Sequence, residues 1–167
     1  QLLDIPPLGF INCHAGALPF YRGRNPLNWV LINGEREFGI TCHYIDEGID
    51  TGDIVLQRHY PIQVSDDYGT LLNRAIRECA AVINDAVEMI VDGSAKRTSQ
   101  SSIHPVGTYF SRRLPGDEWI DWDWSSEECV NFIRGIAPPG PGARVRIGGQ
   151  IVALTKARLI PDAPSYK

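Results

Sequence analysis

The run from Ser65 to Asp92 constrains the fold of this chain more than any other stretch. Its apolar residues Tyr68, Leu71, Leu72, Ala75, Ile76, Cys79, Ile83, Ala86, Val87 and Ile90 recur at three- and four-residue steps, which predicts one stripe along a helix. Ser65-Asp66-Asp67 offers an N-terminal cap and negative charge at the positive end of the helix dipole, and Gly93 offers a stop. Upstream lie short strand candidates. Phe10–Cys13 is apolar on both faces and reads as a buried strand, Phe38–Ile45 alternates, and Ile54–Tyr60 follows. The last two flank one loop and are expected to pair antiparallel. Between them, Asn25-Pro26 reads as a cap with proline in the first turn, opening a helix that runs to about Ile32 and ends at Asn33-Gly34. Three strands and one long helix cannot cover both faces of a parallel sheet, so earlier strands of such a sheet are expected before Gln1.

Beyond Gly93 the character changes. Residues 94–104 are polar and read as a linker, so residues 1–98 and 99–167 are expected to form separate units. In the second unit, Ser125-Ser126-Glu127-Glu128 carries a capping box for a short helix burying Cys129, Phe132, Ile133 and Ile136. Trp119, Trp122 and Trp124 read as its core anchors. Gly148-Gly149 joins Arg144–Ile147 to Gln150–Ala157 as a hairpin whose edge suits a dimer contact.

Charge narrows the function classes. The net charge is −4, which argues against a general nucleic-acid or anionic-membrane binder. Residues 1–98 hold 8 Lys/Arg against 13 Asp/Glu, and residues 99–167 hold 8 against 7, so the tail sits at +1. Cys13, Cys42, Cys79 and Cys129 lack the paired spacing of a zinc site or disulfide framework, which suits a reducing, cytoplasmic setting. No apolar run approaches the ~20 residues of a membrane span.

Chemistry concentrates in one polar cluster. Asn12 and His14 stand two apart at the end of an apolar run, a spacing that puts both on one face of a strand. Asp50 answers them from the loop Asp46-Glu47-Gly48-Ile49-Asp50-Thr51-Gly52. An amide, an imidazole and a carboxylate are the parts needed to hold an oxyanion, move a proton and orient the proton mover. Each has a plainer reading: Asn12 and His14 as a polar strand end, Asp50 as a turn residue bonding its own backbone. The loop Tyr21-Arg22-Gly23-Arg24 places two guanidinium groups nearby, suited to phosphate or simply solvated. His43 reads as packed or surface, His59 and His104 as structural.

These motifs also carry a family resemblance. Phe10-Ile11-Asn12-Cys13-His14, Leu18-Pro19, Tyr21-Arg22-Gly23-Arg24-Asn25-Pro26, Gly39-Ile40-Thr41 and Gly48-Ile49-Asp50-Thr51-Gly52 together resemble the formyltetrahydrofolate-dependent formyltransferases, and the 38-residue step from Asn12 to Asp50 suits that family. The stretch Tyr21–Leu31 most resembles the branch that formylates nucleotide-linked amino sugars. The resemblance implies an α/β fold: the C-terminal part of a Rossmann-like formyltransferase domain, then a small α+β satellite ending in the hairpin. It implies Asn12, His14 and Asp50 as catalytic residues, with His14 either general base or oxyanion stabiliser. Tyr21, Arg22, Gly23, Arg24 and Asn25 would bind a nucleotide-linked amino sugar such as a dTDP-sugar. Gly48, Ile49 and Asp50 would help hold 10-formyltetrahydrofolate, with no metal. A cytoplasmic homodimer serving surface polysaccharide synthesis is the implied setting. The family often has serine two residues after the histidine, where this chain has Gly16. Two other readings stand: a methionyl-tRNA formyltransferase, against which the near-neutral tail speaks, and a remnant acting as an interaction module.

Overall fold

The computed structural model describes residues 3 and 5–163. The elements run β1 (Ile11–His14), β2 (Arg22–Gly23), α1 (Pro26–Ile32), β3 (Glu37–Tyr44), β4 (Ile54–Pro61), α2 (Tyr68–Val91), β5 (Tyr109–Phe110), α3 (Ser126–Gly135), β6 (Ala143–Ile147) and β7 (Gln150–Leu154). Strands β1, β3 and β4 form one sheet in that order, and each neighbour is antiparallel. The register opposes Asn12 to His43 and His14 to Thr41, and a bulge interrupts the β3–β4 ladder between Cys42 and His43. Bulges re-aim side chains, and this one sits where the polar cluster gathers.

Helix α2 lies on this sheet and α1 packs beside it. Their shared core holds Leu27, Val30, Leu31, Phe38, Ile40, Cys42, Val55, Leu71, Ala75, Val82 and Ala86. The expected stripe is corrected in part: Ile76, Ile83 and Val87 are exposed, while Val82, outside the stripe, is fully buried. Apolar residues occupy more of the circumference of α2 than the sheet covers, and spacing alone does not say which edge is taken. Asp67 caps α2 in a reciprocal box with Thr70.

Two further expectations change. Strand β1 starts one residue later than expected and is only half-buried, with Phe10 exposed just before it, because among the described residues it pairs on one side only. Asn25 does precede α1, but its side chain makes no capping bond because its backbone is left-handed, φ 57°.

A second core gathers Ile120, Phe132, Ile133, Ile136, Ala143 and Val145. It is built by α3, capped by the Ser125–Glu128 box, and by the hairpin β6–β7, which turns at Gly148 and Gly149 with positive φ. Trp124 packs edge-on against Phe132, whereas Trp122 is exposed and lies outside this core among the described residues. Asn28 of α1 donates to the Gly135 carbonyl and links the two parts. Residues 94–104 do not hang free as a polar linker. Thr98 bridges Ile54 through paired backbone bonds, and the side chain of Gln100 is buried against the loop after β3.

Candidate active site

Strand periodicity does for Asn12 and His14 what their spacing predicts: both reach the same side as Asp50, which the β3–β4 loop carries back over the sheet. His14 is 7% exposed, and its Nδ1 lies 3.6 Å from Asp50 Oδ2. Its Nε2 donates to the Tyr21 carbonyl at 2.7 Å, so the ring nitrogen facing Asp50 carries a lone pair when the imidazole is neutral. Burial is the main influence on His14 and holds its pKa below 6.5, although the Tyr21 carbonyl and Asp50 pull the other way. Burial therefore favours the uncharged ring.

The structure adds a residue that sequence reading set aside. His43 is 2% exposed on β3, its Nδ1 donates to the Tyr44 carbonyl at 2.7 Å, and its Nε2 lies 3.7 Å from Asp50 Oδ1. Asn12 Nδ2 donates to that same Nε2 at 3.3 Å. Only the cross-strand register, which opposes Asn12 to residue 43, brings His43 into play. Asp50 thus stands between two imidazoles and accepts a 2.8 Å bond from the Gly23 N–H. Burial alone would raise its pKa, but His43, the Gly23 N–H and His14 outweigh it and hold the carboxyl below its ordinary range.

Two glycines make this packing possible. A Cβ on Gly16 would lie 2.6 Å from His14 Nε2 and 2.9 Å from the Tyr21 carbonyl oxygen, so the imidazole occupies the room a side chain would need. Gly23 takes φ +92°, and a Cβ there would run into the Phe110 carbonyl. Tyr21, Asn25 and Asp50 also hold left-handed φ of 55–57°. Asparagine and aspartate tolerate that region; for tyrosine it is strained, and here the turn delivers the carbonyl that holds His14.

The loop expected to bind substrate divides. Arg22 is engaged within the protein: Nε and Nη2 donate to Gln100 Oε1 and Nη1 to the Val106 carbonyl. Arg24 is exposed and has no side-chain partner among the described residues. Tyr21 donates its hydroxyl to Glu35 at 2.6 Å and stacks on Phe110, which stacks on Trp29. Asn25 is exposed at the start of α1. Gly48 and Ile49 lie in the Asp50 loop, where Asp46 accepts from the Gly48 N–H and the Thr51 hydroxyl, leaving Ile49 exposed. Among the described residues, no three His, Cys, Asp or Glu side chains are grouped to hold a metal ion, and no helix is long and apolar enough to cross a membrane.

Residues 1–87 match the model of the formyl transferase family, and residues 114–167 match that of the formyl transferase C-terminal domain. The chain belongs to the formyl transferase family. A methionyl-tRNA formyltransferase of Pelotomaculum thermopropionicum is 37% identical over 97% of this chain and 50% of its own length. Among solved structures, WlaRD, a sugar 3N-formyltransferase with dTDP and 5-N-formyl-THF, superposes with TM-score 0.79 at 28% identity, covering 94% of this chain and 56% of that one. The N-formyltransferase of Helicobacter canadensis with folinic acid and dTDP-3-aminofucose gives 0.73 at 28% identity, covering 84% and 51%. The α/β architecture is therefore the Rossmann-like formyltransferase fold. The chain spans about half the length of the curated relatives it matches.

Proposed function

We propose that this chain carries the proton-handling part of an N-formyltransferase that moves a formyl group from 10-formyltetrahydrofolate to the amine of a nucleotide-linked amino sugar. The observation that carries the reading is the meeting of Asn12, His14 and Asp50 at one site with His43 beside them. Neutral His14 offers a lone pair at Nδ1 and ionised Asp50 waits 3.6 Å away. A proton leaving an attacking amine at Nδ1 converts that approach into an ion pair. Asn12 spends one N–H on His43 and keeps the other for the oxygen of the carbonyl under attack, a contribution of roughly 3–4 kcal/mol in comparable sites. The donor supplies the activated formyl group. Exposed Ile49, in the same loop as Asp50, offers an apolar side chain that a flat heteroaromatic ring could cover.

For the acceptor, Arg24 is the available guanidinium, suited to a diphosphate. The dTDP-containing neighbours and the +1 charge of residues 99–167 favour a nucleotide sugar. The tRNA reading keeps one observation on its side, the 37% identity to a methionyl-tRNA formyltransferase. The whole protein, incubated with 10-formyltetrahydrofolate and a dTDP-linked amino sugar, is expected to release tetrahydrofolate. Formylation of methionyl-tRNA with no turnover of any amino-sugar nucleotide would replace this reading with the second.

A further inference from the structure

The side chain of Gln100 lies at the crossing of the two loops that build the site. It is 2% exposed and opens a single 3-10 turn, Gln100–Ser102. Its Oε1 accepts from Arg22 Nε at 3.0 Å and Nη2 at 2.6 Å. Its Nε2 donates to the Asp50 carbonyl at 2.9 Å and the Gly52 carbonyl at 2.8 Å. A primary amide has two N–H groups and two acceptor lone pairs, and here all four are used, two toward each loop. One residue beyond Arg22, the Gly23 N–H donates to the Asp50 carboxylate. The links close a ring: Asp50 backbone, Gln100, Arg22, Gly23, Asp50 side chain. Asp50 is held at both ends, in a left-handed conformation that an unrestrained aspartate adopts only as a minority.

We propose that Gln100 is a positioning residue that sets the Asp50 carboxylate against His14 and His43 and joins its placement to that of the Arg22 loop. It touches neither substrate nor the reacting atoms; it acts through Asp50. The polarity of the amide makes the assignment separable from mere space filling. Gln100→Glu keeps an oxygen for Arg22, now charge-assisted, but turns a second oxygen toward two carbonyls that need a donor. Only the Asp50 arm of the ring is broken. Arg22→Met breaks the other arm and leaves the Gln100 bonds to Asp50 and Gly52 in place.

The activity part of the test rests on the formyltransferase reading; the exchange part does not. In the whole protein, Q100E is expected to lower kcat about a hundredfold, the scale of a 1 Å misplacement, with acceptor KM within about threefold. R22M, which leaves the Gln100 bonds to Asp50 and Gly52 in place, is expected to lower kcat less than Q100E does, and an equal loss in both would overturn the assignment. Amide hydrogen exchange is the second readout. The Gly23 N–H should exchange faster in Q100E, while the Cys42 and Ile40 amides of the central strand stay protected and show that the fold is intact. If the wild-type protein transfers no formyl group, the functional reading falls and the exchange rate alone decides this one. Unchanged Gly23 protection in Q100E, or wild-type kcat with an active enzyme, overturns the assignment.

Discussion

Gly16→Ala is the substitution whose consequences follow most directly from the geometry. The new methyl carbon would lie 2.6 Å from His14 Nε2, 2.8 Å from Cδ2 and 2.9 Å from the Tyr21 carbonyl oxygen. All three are well inside van der Waals contact, and two belong to a ring held in place by a 2.7 Å bond. The imidazole must swing away and break its bond to Tyr21. Leaving a buried N–H unsatisfied costs about 1–3 kcal/mol, and a ring forced off its rotamer adds about 0.5–1.5 kcal/mol. Stability should therefore fall by about 2–4 kcal/mol, read as a lower urea midpoint at unchanged slope. His14 also loses the carbonyl that favours its charged form, so burial draws its pKa further down. An NMR titration of the His14 ring should show that shift, and turnover of the whole enzyme should drop about a hundredfold. A G16A protein with wild-type midpoint, titration and rate would refute the claim that His14 fills the space above Gly16.

Other consequences can be checked with less apparatus. His14 has a folded pKa below 6.5, so the unfolded chain binds more protons just beneath that pH and stability falls as pH drops through the window. Asp50 acts in the same direction below pH 3.8, its folded pKa being depressed. His14→Gln should flatten the first decline, measured as the difference in urea midpoints between variant and wild type from neutral pH downward; an identical slope would dismiss it. In the 167-residue chain, Leu71→Ala should cost about 2–5 kcal/mol because Leu71 is fully enclosed, and exposed Ile76→Ala should cost well under that. Equal costs would mean that α2 faces the sheet differently.

What could be read from the chain in advance was whatever depends on neighbours in sequence. Asn12 and His14 share a face because the strand period is two. The Ser125–Glu128 box and the Gly148-Gly149 turn are local signatures that the structure keeps. His43 escaped because its role depends on which residue lies opposite across β1 and β3, which alternation does not encode. Gln100 escaped for a stronger reason. Its partners lie 78, 50 and 48 residues away, and the polar stretch around it has the composition of a linker. The offset stripe of α2 belongs to the same class, since Ile76, Ile83 and Val87 are as apolar as the residues that are buried.

Hydrogen bonding at the far side of each ring bears on the two roles left open for His14. Its Nε2 is tied to the Tyr21 carbonyl, and Nδ1 of His43 is tied to the Tyr44 carbonyl, both at 2.7 Å. Carbonyls only accept, so both tethered nitrogens carry hydrogen and neither ring can exchange tautomers without breaking its tether. Where the rings are neutral, the nitrogens turned toward Asp50 are lone pairs. Against these acceptors the site sets the Gly23 N–H and the Asn12 amide. An imidazolium at rest would be needed for oxyanion stabilisation by charge, and burial lowers the pKa of His14 and so disfavours that form. On the proposed reaction, then, His14 serves as the base, Asn12 supplies the N–H to the oxygen, and Asp50 stabilises the imidazolium only after the acceptor amine has given up its proton.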